Sequence, residues 1–387
     1  MLNMDKVYLD NGATSFPKPK EVADAVYKYM TESGVNINRG GYQDAYDVAG
    51  SVLETREMLT EMFNAEDPKN VIFTKNITES LNVILKGFLK PGDHVLCSSI
   101  EHNAVMRPLV QLQEKGIEFD RIPATETGEL ELDKIASLIK KNTVAIVMTH
   151  ASNVTGTINP IEKVGEIANK HNLKFIVDSA QTAGILPIDM KAMHIDALCF
   201  TGHKGLLGPQ GIGGFILAED MVDHIEPMIT GGTGSISHSE ETPNFMPDKF
   251  EAGTMNISGI MGLNAALHWI KNKGIDNIYN HEMMLCERFL NGLKPLIDSG
   301  KVKVFGMPDI KNRVAVVSLQ TLNIDIADVA FKLDYEYNIM TRVGMHCAPH
   351  THQTIGSYPT GTLRFSFGNF NTEKDVDAAI DAIKKLI

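Results

Sequence analysis

Between residues 70 and 220 the chain alternates short apolar runs with longer stretches whose apolar residues recur every three or four positions. The runs Val71-Ile-Phe, His94-Val-Leu-Cys, Val144-Ala-Ile-Val-Met, Phe175-Ile-Val-Asp and Ala197-Leu-Cys-Phe have the length and side chains of buried strands. Glu79 to Leu89 and Val105 to Lys115 read as helices between them. This alternation predicts an α/β fold, a mostly parallel central sheet flanked by helices. Beyond about residue 255 the pattern changes. Two long helical stretches, Gly259 to Lys271 and Tyr279 to Ile297, lead into strand, helix, strand and helix, with strands at Arg313 to Leu319 and Gly361 to Phe367. A large α/β domain over 16–255 and a smaller α+β domain built from 1–15 and 256–387 are expected, hinged near Gly253 to Gly259.

Composition narrows the class of partner. The 387 residues are 43% hydrophobic and 22% charged, as in an ordinary globular protein. A net charge of -12 disfavours nucleic acid or an anionic membrane surface, leaving a small molecule or another protein. The longest apolar runs, such as Thr143 to Met148, are too short to span a bilayer, and the first residues carry no signal-peptide pattern. A cytoplasmic protein with reduced thiols is expected, since Cys97, Cys199, Cys286 and Cys347 follow no framework spacing.

Ligands of open α/β sheets bind beyond the carboxyl ends of the strands. Four strands here end in polar groups: Ser98 to His102, Thr149 to Asn153, Asp178 to Gln181 and Thr201 to Gly205. One such ending is ordinary loop chemistry; four on one edge outline a site. Lys204 sits between an apolar strand and a glycine-rich loop. Most such lysines are solvated, but one held in a site can lose its proton and attack a carbonyl. That is Schiff-base chemistry, and pyridoxal 5'-phosphate (PLP) requires such a lysine, an acid beside its ring nitrogen and a phosphate cradle. Asp178 fits the acid, although strand-end aspartates also cap turns. Gln181 could bond the ring hydroxyl. His102 could stack on the ring and move protons, or be a hydrogen-bonded loop histidine. Asn76-Ile-Thr-Glu79 opens a helix whose first N–H groups favour an anion, or forms a simple capping box. Thr201 and His203 offer further phosphate donors.

Asp178-Ser-Ala-Gln181 followed by Thr201-Gly-His-Lys204 resembles the cofactor core of the class V aminotransferase-like, fold-type I PLP enzymes. Tyr8-Leu-Asp-Asn-Gly-Ala13, Glu101-His-Asn-Ala104, Ser152-Asn-Val-Thr-Gly-Thr157 and Phe250-Glu-Ala-Gly-Thr254 match in the same order along nearly the whole chain. Arg342-Val-Gly-Met-His-Cys347 and Thr362-Leu-Arg364 resemble the cysteine desulfurases and the neighbouring selenocysteine lyases. The resemblance implies that Lys204 carries the cofactor, Asp178 pairs with its ring nitrogen and His102 stacks on it. It assigns Thr78, Thr201 and His203 to the phosphate, with Thr254 reaching it from the other subunit of a homodimer. Asn153 and Arg364 would bind the substrate carboxylate, with Arg342 and Arg39 nearby; Arg364 suits this because its planar fork grips a carboxylate through two hydrogen bonds. Thr201 stands where many relatives have serine, and the stretch from Cys347 to Arg364, with His350 and His352, has no close counterpart.

Cys347 would then be the nucleophile that takes sulfur from cysteine, leaving alanine and a persulfide for an acceptor protein, with Arg342 and His346 favouring its thiolate. Other readings stay open. Cys347 could be a buried small residue, or His346, Cys347, His350 and His352 could bind a metal, although the spacing is not a standard zinc pattern. The same scaffold also serves aminotransferases, epimerases and other lyases, which have no use for Cys347. A scaffold that has lost its chemistry is the reading from outside enzymology, and the full Lys-Asp-His-Arg set argues against it.

Overall fold

A computed structural model describes residues 6–37, 40–236 and 238–387. After β1 (Val7–Tyr8), α1 (Lys20–Lys28) and α2 (Gln43–Phe63), the chain builds a seven-stranded sheet. Its strands are β2 (Val71–Thr74), β3 (His94–Ser98), β4 (Glu118–Ile122), β5 (Thr143–Thr149), β6 (Lys174–Asp178), β7 (Ala197–Thr201) and β8 (Gly213–Leu217). They lie in the order β2-β8-β7-β6-β5-β3-β4. The five strands from β7 to β4 are parallel; β8 alone is reversed, pairing antiparallel with β7 and with the edge strand β2, which runs in the direction of the five. The fold is therefore α/β with a mostly parallel sheet. The connecting helices α3 (Ile77–Phe88), α4 (Asn103–Gln113), α5 (Ile135–Leu138) and α6 (Ile161–Lys170) cover it. One apolar core on each face explains why β3, β5, β7 and β8 are buried almost throughout and read as continuous apolar runs.

The helix α7 (Ile257–Lys273) packs against α1 and α2, and its Ile260, Leu263 and Leu267 belong to the core of the large sheet. Its successor α8 (Ile275–Asp298) sends Leu285, Phe289 and Leu293 into a separate core. That core lies on an antiparallel sheet ordered β12-β13-β10-β9, from β9 (Val302–Phe305), β10 (Val316–Thr321), β12 (Arg342–Gly344) and β13 (Thr362–Ser366). The helices α9 (Ile326–Tyr337), α10 (Pro349–Thr354) and α11 (Glu373–Leu386) complete this half. The amino-terminal strand joins it too: β1 pairs in parallel with β11 (Ile339–Met340), and Val7 and Leu9 enter its core. Among the described residues no helix is long and apolar enough to cross a membrane.

Candidate active site

The carboxyl ends of β5, β6 and β7 and the start of α4 meet the antiparallel sheet, and the site is built at this junction. Beyond β7 the chain turns tightly: Gly208 N–H donates to Gly202 O at 2.7 Å and Leu207 N–H to Lys204 O at 2.8 Å. The turn presses on the loop after β6, where a Cβ on Gly205 would lie 2.6 Å from Ala183 O. From the other side, Ser15 N–H donates to His203 O at 3.0 Å, Ser15 Oγ to Lys204 O at 3.0 Å and Lys18 Nζ to His203 O at 2.7 Å. Lys204 is thus held on a backbone clamped from both sides. Burial pulls its ammonium down to about 8, against Asp178 and with help from Arg364 and Arg342. Near neutral pH such a lysine can both give and take a proton.

Asp178, at the end of β6, is buried and accepts the Ala180 N–H at 2.9 Å. Burial raises its carboxyl above the usual range, partly offset by that N–H and by Lys204. Thr201 Oγ1 and His203 Nδ1, beside the lysine, are buried polar atoms without a hydrogen-bond partner. Native structures rarely leave such groups unmatched, and two donors just ahead of a lysine suit the oxygens of a phosphate. His203 is held near 4 by burial, with Lys204 and Lys18 adding to the effect, so it offers a neutral imidazole. Thr78 stands exposed in the first turn of α3. Asn76 accepts the Glu79 N–H at 3.0 Å there, and Glu79 accepts the Lys75 N–H at 2.7 Å, so the helix start is capped while other first-turn groups stay available.

His102 caps α4, its Nδ1 accepting the Ala104 N–H at 3.0 Å. That bond places the ring proton on Nε2. Burial, then Lys204, Arg342 and further arginines, hold the ring near 4 and therefore neutral. His102 lies between Lys204, which it senses electrostatically, and an open concavity that it lines with Thr78, Arg107 and Cys347.

Two arginines face each other across the antiparallel sheet, Arg342 on β12 opposite Arg364 on β13. Like charges so placed repel, which makes the pair a natural anion site. Arg364 is fully buried, and burial lowers its pKa, opposed chiefly by Asp10, whose carboxylate it meets at 2.6 Å. Its NH1 donates to Asn153 O at 3.1 Å, while Nε has no partner. Asn153 Nδ2 donates onward to His346 O at 2.7 Å. Arg364→Lys keeps the charge but loses the fork. It is expected to lower kcat/KM for an amino-acid substrate about 100-fold, mostly through KM, as measured by steady-state kinetics.

Cys347 is exposed, whereas Cys97, Cys199 and Cys286 are buried. Its turn is held firmly. His346 and Cys347 both have positive φ, 46° and 59°, an uncommon pair for residues with side chains. The bond from Asn153 fixes the His346 carbonyl, and Asn103 N–H donates to Cys347 O at 2.8 Å. His346 Nε2 donates to Thr362 O at 3.1 Å. Burial, with Arg364 and other cations, drives that imidazole down to about 2. His346 is therefore neutral, and the expectation that it lends positive charge to the thiol is corrected: the ring lies in an apolar, already cationic setting.

The aminotransferase class-V family model matches residues 7–379. The chain belongs to the class-V aminotransferase family. Among its relatives, a probable cysteine desulfurase of Methanothermobacter thermautotrophicus is 32% identical over 99% of this chain and 95% of its own. Cysteine desulfurase CsdA of Escherichia coli is 30% identical over 98% and 94%. Two solved structures align closely. The apo cysteine desulfurase of Thermococcus onnurineus gives a TM-score of 0.92 at 32% identity, covering 99% of this chain and 94% of that one. CsdA in its S-sulfonic acid form gives 0.88 at 29%, covering 98% and 94%.

In this class-V chain, Lys204, Asp178, Thr201, His203, His102, Asn153, Arg342 and Arg364 gather at one junction, and Cys347 and Thr78 open on the adjoining concavity. Gln181 lies beside them, its amide donating to Gly12 O at 3.1 Å. Thr254 does not join them within one chain; it lines a separate surface hollow with Arg56, Gly232 and Gly253. Arg39 lies outside the described residues. His350 Nδ1 bonds Ser99 O at 2.9 Å and His352 Nδ1 bonds Ser357 Oγ at 2.7 Å. Among the described residues no group of three His, Cys, Asp or Glu side chains is placed to hold a metal ion. Two residues were not singled out by the sequence reading. Asp10 anchors Arg364, and its only signal was its place in the Tyr8 to Ala13 motif. Glu101, buried before His102, accepts the Thr149 N–H at 2.9 Å and ties the ends of β3 and β5 together.

Proposed function

We propose that the chain is a PLP-dependent cysteine desulfurase that converts L-cysteine to L-alanine and takes the sulfur onto Cys347 as a persulfide. The observation that carries this reading is Cys347 itself: an exposed cysteine on a turn that Asn153 links to Arg364, opening on the hollow that His102 also lines. Thr201 and His203 would hold the cofactor phosphate with Thr78 and, from a second subunit of a homodimer, Thr254. Asp178 would face the ring nitrogen, Gln181 the ring hydroxyl, and His102 the ring plane. When bound, PLP supplies the electron sink for the substrate α-carbon.

The protein's own groups do the rest. Arg364 and Arg342, with Asn153, receive the substrate carboxylate and turn the sulfur toward the concavity. Lys204 Nζ, able to lose its proton near neutral pH, takes the α-proton. Cys347 Sγ, as thiolate, attacks the substrate sulfur; the new S–S bond forms as C–S breaks, and the electron pair left on carbon is protonated to give alanine. An acceptor protein, acting in the cytoplasm, would then remove the sulfur. Holoenzyme given L-cysteine and a reductant is expected to release alanine and sulfide in equal amounts, and L-selenocysteine run in parallel ranks the two chalcogens. Absence of alanine with L-cysteine would overturn the desulfurase reading, and alanine from selenocysteine alone would make the protein a selenocysteine lyase.

A further inference from the structure

Resting on the reading of Cys347 as sulfur acceptor, we propose that His350 is the base that receives the proton of the Cys347 thiol. Two histidines open on the concavity beside Cys347, His102 and His350. Their hydrogen bonds give them opposite characters. His102 spends the lone pair of Nδ1 on the Ala104 N–H, so it presents a protonated Nε2, a donor. His350 Nδ1 meets the carbonyl oxygen of Ser99 at 2.9 Å. A carbonyl can only accept, so Nδ1 carries the hydrogen and the neutral ring presents Nε2 as a bare lone pair. The remaining histidines of this region are engaged and buried, His346 on Thr362 and His352 on Ser357.

His350 is also well fixed. It stands in the first turn of α10, which begins two residues after Cys347, and Thr354 Oγ1 donates to the same Ser99 carbonyl at 3.3 Å. Cys347 and His350 are three residues apart in sequence and open on one hollow. Proton transfer from Cys347 Sγ to His350 Nε2 leaves a thiolate beside an imidazolium, the pairing that makes a cysteine nucleophilic near neutral pH. The other charged or titratable groups lining the hollow are Glu101 and His102 before α4, Arg107 on it, Glu114 just after it, and Arg121 on β4. They are common to all the variants below and drop out of the comparison.

The test is the rate at which iodoacetamide alkylates Cys347 in the holoenzyme, followed by mass spectrometry from pH 6 to 10. His350→Asn keeps an amide N–H for the Ser99 carbonyl and removes the base. Its alkylation is expected to be about 10-fold slower than wild type at pH 7 and to converge with it by pH 10. Superimposable rates for wild type and His350→Asn would overturn the proposal. So would slowing in His350→Ala alone, which would show that only the anchor to Ser99 matters. The readout needs no cysteine turnover, so a protein that makes no alanine yet shows the His350-dependent profile would refute the desulfurase reading and keep this one.

Discussion

Cys347→Ala is expected to lower alanine formation from L-cysteine by about 1,000-fold or more, while the protein still binds its cofactor and shows its colour. The size follows from what the side chain does. A thiol bound to carbon is a poor leaving group unless something takes the sulfur, and in the proposed reaction that part falls to Cys347, which is exposed. The three other cysteines cannot stand in, because all are buried and burial raises their pKa values. The groups proposed above for cofactor and carboxylate are not altered by the substitution, so KM should change little. L-selenocysteine gives the contrast. Selenium leaves carbon more readily, so the variant should lose far less activity on it. Alanine assays on both substrates, with absorbance spectra of each protein, measure all three quantities. An undiminished rate on L-cysteine would remove Cys347 from the chemistry.

Much of this arrangement was legible because its signals are local. The strand-end clusters at Asp178 and at Thr201 to Lys204 are contiguous in sequence, and strand periodicity alone places them on one edge of the sheet. Periodicity does not report direction, so the reversed strand β8 was not foreseen; Gly213 and Gly214 on β8 permit the close approach of Phe200 and Ile72. The strand expected at Arg313 to Leu319 begins instead at Val316. Arg313 is buried, donates to Met307 O and Val316 O at 2.6 Å each, and bridges to Thr157, so this segment pairs with the loop after β5 before it enters the ladder. An apolar pattern extending through Val314 and Ala315 hides that handover. The anchoring of Arg364 by Asp10 spans 354 positions, and only folding brings such partners together. Thr254 is a different case, since its assigned role needs a second chain.

Glu282→Gln is expected to make the protein more stable, by an amount that grows with pH. Glu282 lies on α8 where the two halves of the molecule meet, buried, and it opens on a cavity of about 40 Å³ lined also by Lys204, Gln181 and Asn369. No hydrogen bond or ion pair reaches its carboxyl among the described residues, and burial alone pushes it up from 4.5 to about 8. The sign follows by linkage. Below pH 4.5 the group is protonated whether the chain is folded or not, and it costs nothing. Between pH 4.5 and 8 the unfolded chain releases the proton while the folded one retains it, so native stability falls as pH rises. Above about 8 both forms are ionised and the loss is complete, a few kcal/mol in all at ~1.4 kcal/mol per pH unit. Glutamine has nothing to ionise. The difference in Tm between variant and wild-type holoenzyme should therefore be smallest near pH 5, widen up to about pH 8 and then level off. Other shifted groups, Glu101 and Asp178 among them, titrate alike in both proteins and cancel. A Tm difference that stays flat from pH 5 to 9 would mean that Glu282 is ionised throughout, which would require a cation or donor set to reach it in solution.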